Sequence, residues 1–426
     1  MSQEVIIMKI LVIGAGAQGG PCASILSRDP DVKEVILGDI EIDLANKVKA
    51  KIDSPKVTVQ ELNAGDVDEI KRVAKGVDVI ITLTLTEFND KIMKAALTVG
   101  AHYIDTSFGE PNKMDLCASD NLLSQIIQGR PIALDAEFKN AGLTAIHGCG
   151  GSPGVMNVSA RYYADKLDTV EAIRMRVGRK SMIPSDDVVS AWAPTWSPFR
   201  SLWGYAIEPM VFEEGEYRTY PIFSGYEEYR YPEPVDIIPM VLHQHQEPVT
   251  LPHFIGKGIQ YCDFKYTIDR NVGTLIKQGF ASDEPIEVKG CQVAPLDVLM
   301  KMVRKPVDTF LSETAETAAH SISILGWAAL EVSGTCREES VEYKIDWPFF
   351  MFDSSEKRLA LFNRFGASNI YVALPAIVGA KMCMRGDAPR GVIASECLDP
   401  IAFFKTMGDL GAPLEYNEVC TRKVAV

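Results

Sequence analysis

Residues 9–26 read KILVIGAGAQGGPCASIL. A short apolar run, residues 9–13, stops at Gly14, and an apolar-periodic stretch, residues 19–27, begins at Gly19. Gly14, Gly16 and Gly19 therefore form G-x-G-x-x-G between an expected strand and an expected helix. Each glycine has a mechanical reason: Gly14 permits the tight turn, Gly16 lets the backbone approach a pyrophosphate, and Gly19 lets helix and strand pack closely. Ala15, Ala17 and Gln18 complete the loop. A dinucleotide pyrophosphate is expected at the helix N-terminus, where unpaired N–H groups and the helix dipole favour negative charge.

Outward from the loop, the pattern repeats. Strands are predicted over residues 9–13, 34–37, 57–62, 77–83, 102–105 and 144–148, with helices between them, for example over 19–27, 42–52 and 89–99. Such alternation implies right-handed βαβ crossovers and a doubly wound parallel sheet of the Rossmann type. Asp39 closes the second strand, 25 positions after Gly14. A carboxylate there accepts both adenosine ribose hydroxyls and repels a 2′-phosphate. Ile40 follows, with no nearby arginine to pair with such a phosphate, so NAD is expected rather than NADP. Asp66, after the third strand, is expected near the adenine. Thr84, Asp105 and Thr106 fall at later strand ends, where open parallel sheets bind ligands.

The turn Gly150-Gly151-Ser152-Pro153-Gly154 marks an exit from the first domain, expected to span residues 1–150. Residues 170–350 carry short alternating runs such as EAIRMRVG and ESVEYKIDWPF. They predict a second, mostly antiparallel α+β domain over 151–366 that holds substrate and makes dimer contacts. Residues 367–426 are expected to be helical and to pack back on the first domain.

Bulk properties narrow the function class. The 426 residues are 47% hydrophobic and 23% charged, a globular balance. A net charge of −14 disfavours nucleic acid and anionic membrane partners. The N-terminal MSQEVIIMKILVIGAG has no basic region and leads into a glycine loop rather than a cleavage site, so it reads as a strand. Nine scattered cysteines contain no C-x-x-C pair, which fits reduced thiols in a cytoplasmic chain and no structural metal.

The order and spacing of several segments resemble the saccharopine dehydrogenase-like family: GAGAQGG, GDIEIDLA, AHYIDTSFGEP, AGLTAIHGCGGSPGVMNVSARYYADKLD, PTWSPFRSLWGYAIEP, HQEPVTLP, SDEPIEVKGCQVAPLDVL and PRGVIASECLDP. The resemblance implies oxidation or reduction of a C–N bond in an amino-acid or amine substrate by a nicotinamide cofactor, in a homodimer. Saccharopine and carboxynorspermidine enzymes carry Asp where this chain has Ser152, and saccharopine reductases carry Tyr at Phe108. The segment around Val288-Lys289-Gly290-Cys291 is closer to lysine 6-dehydrogenase, which implies oxidative deamination. A saccharopine- or carboxynorspermidine-type reductase is the alternative, and a non-catalytic dinucleotide-binding protein is the alternative from another class.

Imine chemistry needs a base and anchors for the substrate's charges. His245, in the polar loop His243–Glu247, is the expected base, with a satisfied loop histidine as the bland reading. Asp105 and Cys149 are candidate catalytic groups on the opposite wall; a buried structural thiol is the competing reading of Cys149. Arg200, Glu247 and Lys257 are candidate substrate contacts, with Arg174 and Arg176 as other possible carboxylate anchors. A metal reading of His243, His245 and His253 lacks a matching acid or cysteine cluster.

Overall fold

The computed structural model describes residues 7–109, 121–182, 192 and 194–423. Residues 110 and 111, which end the quoted AHYIDTSFGEP run, lie outside them. Among the described residues, seven strands form a wholly parallel sheet. Six come in chain order: β1 (Met8–Ile13), β2 (Val32–Asp39), β3 (Val57–Glu61), β4 (Val79–Thr82), β5 (His102–Asp105) and β6 (Thr144–His147). The spatial order is β3-β2-β1-β4-β5-β6, followed by the strand Gly391–Ala394 at the far edge. The order reverses between β1 and β4, so a crevice opens there beyond the carboxyl ends of the strands.

Buried aliphatic residues on both faces drive this sheet. Ile10, Val12, Ile81, Ile104 and Ile146 pack with Ala23 and Ile377 on one side, while Leu11, Ile80 and Ala145 pack with Ile70 and Ile92 on the other. Each such isoleucine, leucine or valine contributes about 1.5–3 kcal/mol on burial. The helix Gly19–Arg28 is buried along nearly its whole length. The C-terminal helix Ala373–Arg385 covers it, and the buried Lys381 Nζ donates to Asp29 and Asp31, each at 2.7 Å.

The second sheet is mixed and mostly antiparallel. Its main path runs Glu227–Arg230, Ile237–Leu242, Tyr261–Thr267, Thr169–Ser181, Ile324–Cys336, Glu339–Pro348 and Asn417–Lys423. Only Tyr261–Thr267 against Thr169–Ser181 is parallel along that path.

The expectation of a helical C-terminal segment needs correction. Residues 367–426 hold the helices Ala373–Arg385 and Pro400–Leu410, and they also supply one strand to each sheet. Gly391–Ala394 is only four residues long, and Asn417–Lys423 is exposed throughout, so neither carries a strong hydrophobic pattern. Partner strands far away in sequence create them.

Candidate active site

One cavity of about 1010 Å³ opens at the switch point and is walled by both sheets. Gly14, Gly16, Ala17, Gln18, Asp39 and Ile40 line it from the nucleotide half. Gly14 has φ +102°, which only glycine adopts without strain. A Cβ on Gly19 would lie 1.8 Å from the Gly14 carbonyl oxygen, so this glycine closes the loop upon itself. A Cβ on Gly16 would meet nothing within 4 Å, since it would project into the cavity. The Gln18 amide is 8% exposed and neither of its polar atoms has a partner. An open cradle beside an orphaned buried amide at a helix N-terminus fits a dinucleotide pyrophosphate.

Asp39 ties the loop to the second strand. Its Oδ2 accepts the Ala15 N–H at 2.6 Å and its Oδ1 accepts the Glu41 N–H at 2.8 Å. Ala15 and Gly19 shape the turn without lining the cavity. Ile40, 63% exposed, offers an apolar face at the rim. Lys305 reaches the same rim from the far domain, with its Nζ 3.8 Å from Glu41, a cation that local sequence did not reveal. Thr84 and Thr106 line the cavity as expected from their strand ends. Asp66 does not: its carboxylate caps the helix Val67–Val73, accepting from the Asp68 and Glu69 N–H groups, and Asn63 and Ala64 occupy the wall instead.

The second wall contains the chemistry-bearing cluster. His245 lines the cavity, 15% exposed at its side chain, and its ring stacks on Phe264 with centroids 3.9 Å apart. Nδ1 lies 2.5 Å from Glu247 Oε2, and Ser152 Oγ donates to Glu247 Oε1 at 2.5 Å. With Nδ1–H donating to the carboxylate, Nε2 keeps its lone pair, the arrangement of a general base. Glu247 is fully buried at the start of the helix Glu247–Ile255, where the helix dipole favours its charge. It stands behind His245, so its expected role as a substrate contact is corrected to positioning. Arg200 is brought to the cavity, where Nη2 donates to Ser107 Oγ at 3.1 Å. Gln246 Nε2 donates to the Phe108 carbonyl at 2.8 Å and so joins the two walls.

Four further expectations are corrected. Asp105 is 1% exposed and saturated: its oxygens accept from the Gly148 N–H, Tyr103 Oη and Asn89 Nδ2, and Oδ2 lies 2.6 Å from His147 Nδ1. Cys149 is buried, donates to the Pro375 carbonyl, and has its thiol pushed far up by burial. Lys257 lies away from the cavity, where Nζ donates to the carbonyls of Ala164 and Leu167 and so satisfies a helix end. Arg176 is locked by Asp263 at 2.7 Å and Glu227 at 3.0 Å, and Arg174 lies over Tyr261. His243 is buried and pushed down to about 3, chiefly by desolvation, and among the described residues no cluster suited to a metal occurs.

Sequence reasoning missed Arg179 and Asp269, which both line the cavity. A signal existed for the first. In EAIRMRVGRK, Arg179 shares its strand face with Ile173, Met175 and Val177, which are buried apolar residues.

Comparison with known proteins bears on the fold and the nucleotide half. Residues 10–146 match the model of the saccharopine dehydrogenase NADP binding domain. Carboxynorspermidine synthase of Vibrio cholerae is 25% identical over 443 aligned positions, covering 97% of each chain. Apo saccharopine dehydrogenase (L-Glu forming) from Saccharomyces cerevisiae superposes with a TM-score of 0.65 at 13% identity, over 97% of this chain and 100% of the other. Homospermidine synthase from Legionella pneumophila, solved in complex with NAD, gives 0.62 at 12% identity, over 98% and 93%. The nucleotide half thus matches the saccharopine dehydrogenase NADP binding domain, and the chain as a whole shares the fold of saccharopine dehydrogenase.

Proposed function

We propose that the chain transfers hydride between NAD(H) and the C–N bond of an amino-acid or amine substrate, with His245 as general base. The observation that carries this reading is a single cavity that contains both the glycine loop and a histidine whose Nδ1 is held by Glu247. A bound nicotinamide supplies or accepts the hydride. His245 Nε2 takes the proton from the reacting amine or from the water that adds to the imine. Glu247 stabilises the imidazolium that results, and Ser152 holds Glu247 in place. The full-length relative is named a synthase, which favours the reductive direction, in which an amine and a carbonyl compound condense to an imine that is then reduced. Lysine 6-dehydrogenase-type deamination is the same chemistry in reverse and rests on the sequence resemblance alone.

The test is a two-way screen followed as NADH absorbance. One arm offers NAD with L-lysine, other amino acids and polyamines. The other offers NADH with diamines paired with keto acids or amino aldehydes. Turnover in either arm supports the reading. Silence in both, with NADH still bound, leaves a dinucleotide-binding protein without turnover.

The preference for NAD rests on Asp39 and Glu41 at the ribose end, with Lys305 already facing Glu41. NADH should bind more tightly than NADPH, and Asp39→Ser should narrow the gap. Equal affinities in the unmodified chain overturn that preference.

A further inference from the structure

Among the described residues the cavity holds a cation in an unusual state. Arg179 lies on the strand Thr169–Ser181, three residues after Arg176 and on the opposite face. Arg176 is neutralised by Asp263 and Glu227. Among the described residues Arg179 is in no ion pair; its guanidinium carbon lies 5.5 Å from the Tyr266 ring centroid and 5.4 Å from that of Phe350. Its Nε is buried without a hydrogen-bond partner, Nη2 reaches Thr195 Oγ1 at 3.4 Å, and the guanidinium also faces the Tyr266 hydroxyl. Aromatic faces attract the cation but do not saturate its five donors. A desolvated guanidinium is costly unless an anion completes it, and its planar fork matches a carboxylate bidentately.

An acid stands close by. Asp269 lines the same cavity and interacts electrostatically with Arg179, yet the two form no salt bridge. One oxygen, Oδ1, caps the helix Arg270–Lys277 by accepting from the Asn271 and Val272 N–H groups at 3.0 and 3.1 Å. Among the described residues Oδ2 has no hydrogen-bond partner of its own. Tyr205, beside Asp269, donates its hydroxyl to the Thr267 carbonyl at 2.5 Å rather than to the Asp269 carboxylate. Cation and anion are thus held apart within one aromatic-walled region, by a strand on one side and a helix cap on the other.

We propose that Arg179 and Asp269 are the receptor for a zwitterionic amino-acid head group, Arg179 taking the carboxylate and Asp269 the ammonium. The inference rests on the amine-oxidoreductase reading and names the substrate class within it: an α-amino acid bound by its head, with its reacting nitrogen extending toward His245. Arg200, on the helix Pro198–Ala206, already reaches across to Ser107 and is not needed for this receptor.

Three probes separate the two contacts. L-Lysine carries both groups, 6-aminohexanoate lacks the α-ammonium, and cadaverine lacks the carboxylate. Each is titrated calorimetrically into the full chain in the presence of NADH. Arg179→Met should weaken L-lysine and 6-aminohexanoate by about tenfold or more, as expected for a lost charge-assisted hydrogen bond, and leave cadaverine within about twofold. Arg179→Lys, which keeps the charge and loses the fork, should give an intermediate loss on the same two probes. Asp269→Asn keeps the helix cap and should weaken L-lysine and cadaverine but not 6-aminohexanoate. An equal loss on all three probes, no loss on any, or no binding of L-lysine by the unmodified chain overturns the receptor. Turnover is read separately: a chain that binds the probes in this pattern and turns over no amine keeps the receptor and loses the reaction.

Discussion

Two histidine–carboxylate pairs sit on the two sides of this molecule, and the same bond has different surroundings in them. In the parallel sheet, His147 Nδ1 lies 2.6 Å from Asp105; in the second domain, His245 Nδ1 lies 2.5 Å from Glu247. Asp105 is surrounded by donors from Tyr103, Asn89 and Gly148 as well as His147. The His147 ring is wedged between Tyr103 and Phe108 and borders only a small cavity of about 190 Å³ beside β5. Glu247 has only Ser152 besides its histidine, and the His245 ring shows an edge to the large cavity. A histidine–carboxylate hydrogen bond is therefore no signature of catalysis. What distinguishes the pairs is the space available to the second ring nitrogen.

The largest effect expected from breaking this contrast is on turnover. His245→Asn should lower it by about two to four orders of magnitude, the usual worth of a general base, while NADH binding stays intact. His147→Asn should leave turnover per folded molecule within a few-fold. Comparable kinetic losses in both variants would erase the distinction.

Stability should respond in the opposite sense. Asp105→Ala strands several buried donors and should cost about 3–5 kcal/mol in denaturant unfolding. Glu247→Gln keeps a hydrogen-bonding side chain and should cost about 1–2 kcal/mol, with its main effect on turnover. If Glu247→Gln proves the more destabilising, the second pair is a structural one.

The smallest effect sharpens the comparison through pH. Behind Glu247, on the short turn Ser395–Cys397, Glu396 is fully buried, accepts from Asn157 Nδ2 at 3.0 Å, and is raised by burial to about 7. Between its unfolded value of 4.5 and about 7, the folded chain holds a proton that the unfolded chain has released. Its contribution to stability is therefore full below pH 4.5 and lost as pH rises through 7. Relative to the unmodified chain, Glu396→Gln should lose about 2–3 kcal/mol less stability between pH 5 and pH 8, read from urea midpoints at each pH. Parallel curves for the two proteins would show that Glu396 releases its proton like an exposed acid.

Much of the nucleotide half was legible because its determinants are local. The strand–glycine–helix order of residues 9–26 is a matter of a few turns of chain, and the βαβ rule turns that order into a parallel sheet with a crevice at a known edge. Gly14, Gly16, Gln18, Asp39, Thr84 and Thr106 could be placed on that logic, and all line the cavity. Asp66 and Asp105 failed under the same logic. Standing at a strand end does not say whether a carboxylate faces solvent, caps a helix or is consumed inside the sheet.

The sequence by itself determined the doubly wound domain, the glycine loop between its first strand and helix, and the candidacy of His245. All rest on hydrophobic period, glycine spacing and residue chemistry, which act over short separations. Only the tertiary structure decided the rest. Ser152 meets Glu247 across 95 positions, Lys381 meets Asp29 across 352, and Gly391–Ala394 becomes a strand only because β6 offers it an edge. Arg176 and Arg179 make the point within one strand. Their opposite faces follow from the period of two, but which one meets acids depends on Asp263 and Glu227, brought in from other strands of the sheet. Charge compensation is settled by neighbours in space, and a linear chain does not state who they are.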